Sequence, residues 1–251
     1  MPLETIEHRR LYRQVADKLR ALIDQGEFPP GARLPPEREL AEKLGISRPT
    51  VREALIALEV EGRVRIRVGS GIYVAEASQK PPAPMQMLQA EGPFEVLQAR
   101  ELIETTIAAK AALKASAEDI AGLAHILKRM ARPDQPNQDY IRLDREFHVG
   151  IAGILGNGLL ARVVGELFDQ RVNPFFSQLA SHFENSMSWT LAIAEHHRIV
   201  ERIASHDPDG AGEAMRLHLQ ASQERFSQSF GEGSGAVRAA GRPDGERSEP
   251  L

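Results

Sequence analysis

Two sets of polar residues in this chain are spaced for chemistry. In "YIRLDREFHVGIAGIL", Asp144 and His148 stand four apart, so on a helix they share a face and could reach one ion. His196 lies seven before the apolar Ile203 and points inward with the stripe of its helix. Its neighbour His197 is turned about a hundred degrees away. His218 follows Met215 by three, again on an apolar side. One carboxylate and three imidazoles on inward faces can hold a metal, and such ligation suits zinc, nickel or manganese better than calcium. The same spacing fits histidines serving only in the core or at helix caps, and spacing alone leaves both readings open. The second set lies in "LGISRPTVREAL", where Arg48 and Arg52 are four apart among Ser47, Pro49 and Thr50. A guanidinium fork can donate two hydrogen bonds to guanine O6 and N7. The competing reading is a solvated helix face, with either arginine paired to Glu53 or Glu59.

The elements that must position these residues follow from periodicity and punctuation. Leu11, Val15, Leu19, Leu22 and Ile23 recur at helical spacing, and Gly26 stands where a stop is expected. A short helix starts at Pro35-Pro36 and ends near Leu44-Gly45. Ser47 is a good cap for a third, with Val51, Leu55 and Leu58 as its core stripe and Gly62 as its close. "RVRIRVGSGIYVAE" then alternates, with Val64, Ile66 and Val68 on one face and Arg63, Arg65 and Arg67 on the other. Helix, short helix, tight turn, capped helix and two-stranded wing is the order of a winged helix-turn-helix, whose third helix enters the major groove. There Arg48 and Arg52 would face bases, while Ser47 and Thr50 suit phosphate contacts.

Residues 77–93 carry several prolines and read as a linker after a first domain over 8–76. Residues 94–230 read as helical throughout, in about six helices near 94–115, 118–130, 137–156, 159–180, 187–205 and 208–229. Residues 231–251 are Gly-, Arg- and Glu-rich and read as a disordered tail. The fold class expected is mainly α, a winged helix-turn-helix followed by an all-helical antiparallel bundle.

Composition narrows the classes further. The chain has 251 residues, no cysteine and a formal net charge of −4. Disulfides, thiolate zinc sites and cysteine nucleophiles are thereby excluded. No apolar run approaches the ~20 residues of a membrane span, and the start carries no apolar signal segment, so a cytoplasmic protein is expected. Residues 1–76 hold 13 Lys+Arg against 12 Asp+Glu, a net of only +1. DNA binding there depends on arginines gathered on one face, not on bulk charge.

Residues 9–75, from "RRLYRQ" through "PPERELA" and "SRPTVREAL" to "VGSGIYV", resemble the N-terminal domain of GntR-type bacterial transcription regulators. The resemblance implies binding to double-stranded operator DNA, with base contacts from Arg38, Arg48 and Arg52. It also implies that the wing tip, Val68, Gly69, Ser70 and Gly71, enters the minor groove. Pro49 stands where many relatives carry a second hydroxyl residue. Residues 94–230 resemble the helical effector domain of the FadR branch of that family. "DREFH", "EHHRIVERI" and "MRLHL" match three motifs that carry its metal ligands, which here are Asp144, His148, His196 and His218. In such domains a metal and a basic residue hold a small carboxylate effector. Arg100 matches a recurrent arginine of the family, with a salt bridge to Glu104 as its structural alternative. Arg171 and Asn173 are further candidates for the cavity, and Asn157 for a helix cap. A finer likeness, through "GPFEVLQARELIE" and "NPFF", is to hexuronate-responsive regulators. The function implied is a homodimeric, effector-responsive repressor sensing a sugar acid. The rival from another class is a metal-dependent enzyme using the same aspartate and histidines.

Overall fold

The computed structural model of the chain describes residues 10–76, 91–132 and 137–227. Residues 8–9, most of the expected linker (77–90) and the expected tail lie outside the described residues.

Helix α1 (Leu11–Asp24) buries Tyr12, Val15, Ala16 and Leu19, the three- and four-residue spacing of one face. Pro36 caps α2 (Glu37–Leu44), which ends on Gly45 in the left-handed conformation at φ 65°. Helix α3 (Arg48–Val60) starts with the Ser47 hydroxyl accepting the Thr50 amide at 3.3 Å. Strands β1 (Val64–Arg67) and β2 (Gly71–Val74) pair antiparallel, with Ile66 opposite Ile72. Val64 and Ile66 are buried and Arg65 and Arg67 exposed, as the alternation requires. Val68 departs from its expected face and is exposed, because β1 ends at Arg67 and Gly69 reverses the chain at φ 74°.

Seven α-helices follow among the described residues: α4 (Pro93–Ala112), α5 (Ala117–Met130), α6 (Asn137–Gly153), α7 (Gly158–Asp169), α8 (Pro174–Phe183), α9 (Ser186–Ala204) and α10 (Pro208–Ser227). The helix expected over 159–180 is two, joined by a 3-10 turn at Gln170–Val172. Pro174 has no amide proton to continue α7, and the Asn173 side chain accepts the Phe176 amide at 2.7 Å to cap α8. Small residues of α4, including Ala108, Ala111 and Ala112, let α10 pack close through Ala211, Met215 and Leu219. Phe147 of α6 and Ile199 and Ile203 of α9 complete that core.

A second core crosses between the two parts of the chain. Val51, Leu55, Ile56 and Leu58 of α3 share a continuous buried cluster with Phe94, Phe175, Phe176 and Phe226 of the helical part. Each fully buried aromatic or aliphatic side chain there contributes about 1.5–3 kcal/mol, so the two parts are held by more than a linker. Among the described residues no helix is long and apolar enough to cross a membrane.

Candidate metal site, effector cavity and DNA-reading helix

Helix α6 brings Asp144 and His148, α9 brings His196 and α10 brings His218, and all four are buried. One ligand atom from each lies within 4.8 Å of every other. The Asp144 Oδ1 is 3.4 Å from His148 Nε2 and 3.3 Å from His196 Nε2, and the Nε2 atoms of His196 and His218 are 3.2 Å apart. Such donor separations suit bonds of about 2.0–2.1 Å to an ion between them. His197 is exposed, so His196 is the inward histidine of the pair.

The protonation of the cluster is set from behind. Glu104 of α4 accepts from His148 Nδ1, and Glu195 of α9 accepts from His218 Nδ1 at 2.8 Å. A neutral imidazole that donates through Nδ1 presents a bare lone pair at Nε2. Two lone pairs and a carboxylate oxygen therefore aim into one buried space. Asp144 Oδ1 and His148 Nε2 have no hydrogen-bond partner there. Orphaned buried acceptors are costly, and a cation resolves them. The residues fit a divalent transition metal.

Burial pushes the His218 imidazole down to about 3, with the neighbouring His196 adding to the effect. Burial likewise lowers His196. For His148 burial acts downward too and is the largest single influence, but the Glu104 and Asp144 carboxylates together outweigh it and the imidazole is raised. Burial also opposes ionisation of Glu104, yet Arg100 and His148 together hold it down to about 2.

Three guanidiniums surround this centre. Arg171 donates to Asp144 Oδ2 at 2.7 Å and to Glu184, leaving Oδ1 turned to the histidines. Arg225 grips Glu195 with both nitrogens. Arg100 bonds Glu104 at 2.7 Å, the structural alternative read from sequence, but its Nη2 is buried and unpartnered among the described residues. All three arginines line one cavity with Asp144, His218 and Trp189. Asn173 is not among the residues that line it; its Oδ1 caps α8, while its Nδ2 is buried and without a hydrogen-bond partner among the described residues. Asn157 caps α7 as expected.

The DNA-facing candidates are divided. Arg38 is exposed on α2. Arg48 is exposed at the start of α3 and bonds Glu37 at 2.9 Å. Neither Glu53 nor Glu59 is its partner in that bond. Arg52, expected beside Arg48 on the groove face, is instead buried to 2% exposure. Its Nε bonds Glu37 at 2.7 Å and its Nη1 donates to the Phe226 carbonyl at 2.8 Å. The cause is the docking of the helical part on α3, which covers that side. Ser47 is exposed and Thr50 partly so, their hydroxyls 2.7 Å apart. At the wing tip Gly69 and Ser70 are exposed, but Gly71 is buried, and a Cβ there would sit 2.5 Å from Arg33 Nε.

Glu104, Glu195, Arg225 and Trp189 were not singled out from sequence as parts of the site. A signal existed for two. Glu104 is four after Arg100, and Glu195 adjoins His196. Both reach their histidines across helices, 44 and 23 residues apart, which no local spacing displays.

Comparison with known proteins agrees with this architecture. The family described as FCD domain matches residues 95–221, and that described as bacterial regulatory proteins, gntR family, matches residues 11–74. The chain is 38% identical over 212 residues to an Uxu operon regulator of Haemophilus influenzae, covering 84% of this chain and 80% of that one. It is 38% identical over 225 residues to the Uxu operon transcriptional regulator of Escherichia coli, 87% of each chain. The Exu regulon transcriptional regulator of Escherichia coli is 39% identical over 224 residues, 87% of this chain and 85% of that one. A winged helix-turn-helix joined to a helical FCD domain, with relatives of one kind across both, leaves no place for the enzyme reading. The chain belongs to the gntR family of bacterial regulatory proteins and is a DNA-binding transcriptional regulator.

Proposed function

We propose that this regulator is a homodimeric repressor that senses a hexuronate or closely related sugar acid at a zinc, nickel or manganese ion in its helical domain. Asp144, His148, His196 and His218 hold the ion, and Arg100 and Arg171 hold the acid. The observation that carries the reading is the buried, unpartnered Nη2 of Arg100 in the same cavity as Asp144 and His218. A carboxylate placed there satisfies that donor, and the metal, when bound, supplies a second positive centre for it. Trp189 adds another buried donor without a partner, its Nε1, and Ser188 and Ser222 add hydroxyls to the wall. Such groups suit a ligand rich in hydroxyls. The regulators of the Uxu operon and Exu regulon, similar over more than four-fifths of this chain, support the hexuronate class.

On DNA, Arg38 and Arg48 read base edges, Ser47 and Thr50 hold phosphate, and Gly69, Ser70 and Gly71 carry the wing to the minor groove. Arg52 joins the readers once its bond to Phe226 is broken. Two copies related by a dyad read a short pseudo-palindrome. Acid and operator binding oppose each other, and by linkage each weakens the other equally.

Fluorescence anisotropy on DNA upstream of the protein's own gene tests this. Glucuronate or galacturonate should raise the operator Kd in metal-loaded protein and leave it unchanged after chelation. If neither acid moves the binding curve, the hexuronate assignment falls while the DNA-binding regulator stands.

A further inference from the structure

The helical domain holds α3 by the side that carries Arg52. Arg52 lies under the ring of Phe94 at 5.8 Å and donates to the Phe226 carbonyl. Glu53 accepts the Phe94 amide at 3.1 Å. Nearly two turns on, Glu59 Oε2 takes His182 at 2.6 Å and Gln178 at 3.2 Å, both from α8. Ile56 sits one turn from each of the three, at i+4 from Arg52, i+3 from Glu53 and i−3 from Glu59, and is fully buried. Arg48, one turn before Arg52 and bonded to the same Glu37, marks where the docked strip meets the open end of the helix.

We propose that this contact is autoinhibitory: the surface made by Phe94, Phe176, His182 and Phe226 binds the chain's own recognition helix in competition with operator DNA, and the sensing cavity sets its strength. The inference rests on the assignment of Arg48 and Arg52 as DNA readers. The competition is steric as well as chemical. A major groove about 12 Å wide admits one helix of about 10–12 Å, and leaves no room for α8 lying on it. Arg52 cannot reach a base while its guanidinium bonds Phe226 and Glu37.

The link to the cavity is direct at two places. Phe226 and Arg225 of α10 line it, and the carbonyl of Phe226 is the one that Arg52 holds. Phe183 and Glu184, at the end of α8, line it too, directly after His182 and less than two turns after Gln178, the residues that bind Glu59. A ligand seated between these two helix ends braces both against α3. The docked form then gains population, and operator affinity falls by the fraction of chains left open.

The chain has no cysteine, so Ile56→Cys provides a single thiol at the centre of the contact. In that background the paired substitution Gln178→Glu and His182→Glu sets two carboxylates against Glu59. The thiol should be labelled slowly without the pair and at least about tenfold faster with it. The chain carrying only the pair should bind operator about tenfold more tightly than wild type, since apparent affinity scales with the open fraction. In wild type, saturating operator should deprotect α8 amides to hydrogen exchange. A thiol that stays protected in the paired variant overturns the contact at Glu59. An exposed thiol with unchanged operator affinity, or α8 amides as protected on operator as off it, overturns the competition. A wild-type chain with no specific operator binding, read from the anisotropy, instead overturns the assignment of the DNA readers, and the thiol rates still report the contact.

Discussion

Glu53 of α3 caps the first turn of the helical domain, its Oε1 accepting the Phe94 amide at 3.1 Å. A carboxylate at a helix N-terminus is usually well placed. Here burial nevertheless pushes it up to about 7, with the amide hydrogen bond, Glu95 and Arg10 as lesser influences.

The sign of the pH effect follows. A carboxyl raised in the docked state binds its proton there more tightly than when exposed, so its contribution to docking is full below about pH 4.5 and lost as pH rises through about 7. Protection of α3 amides, corrected for intrinsic exchange, should therefore fall between pH 6 and pH 8. Glu53→Gln, which keeps the acceptor and removes the charge, should flatten that dependence.

Glu104 joins two functions, bonding Arg100 with one oxygen and His148 with the other. Glu104→Gln should lower metal affinity by about 10–100-fold, the usual effect of losing a carboxylate behind a ligating histidine. Competition with a chromogenic chelator measures it. Unchanged affinity would show that His148 needs no such anchor.

His196→Ala and His218→Ala remove a donor outright. Purified variants should hold well under one metal ion per chain by elemental analysis and lose the acid's effect on operator binding. Operator affinity without acid should be retained.

Arg48→Ala should cost about 1–3 kcal/mol of discrimination between operator and unrelated DNA, as expected for a bidentate base contact. An equal loss on both DNAs would make Arg48 a phosphate contact instead.

Asn173→Ala should remove the cap of α8, lowering stability by about 1 kcal/mol and the melting temperature by about 2–4 °C. The acid response should survive, since the side chain faces the Phe176 amide and does not line the cavity.

Much of this structure was legible from spacing. The Ser47 and Asn157 caps, the alternation of Val64 and Ile66 with Arg65 and Arg67 and the inward set of His196 against His197 are local patterns, and the fold kept them. The break at Asn173-Pro174 was missed, although proline at a first helical turn is itself a start signal. The flanking apolar residues ran on at helical spacing across it. The docking of α3 was harder to foresee. Ile56 lies off the stripe of Val51, Leu55 and Leu58, and one apolar residue beside two arginines reads as an ordinary surface. Phe176 of the same cluster is 120 residues away, and only tertiary packing brings them together.

The arginines and carboxylates around the cavity also decide how much charge a ligand can carry. Asp144, Glu104, Glu184 and Glu195 supply four negative charges, and Arg100, Arg171 and Arg225 supply three positive ones. Ligating imidazoles are neutral. A divalent ion turns that deficit of one into an excess of one, which a single carboxylate cancels. A dicarboxylate of the same size would leave an unbalanced negative charge away from water, where charge is most costly. Electroneutrality thus favours a monoacid bearing uncharged hydroxyls before any one contact is considered.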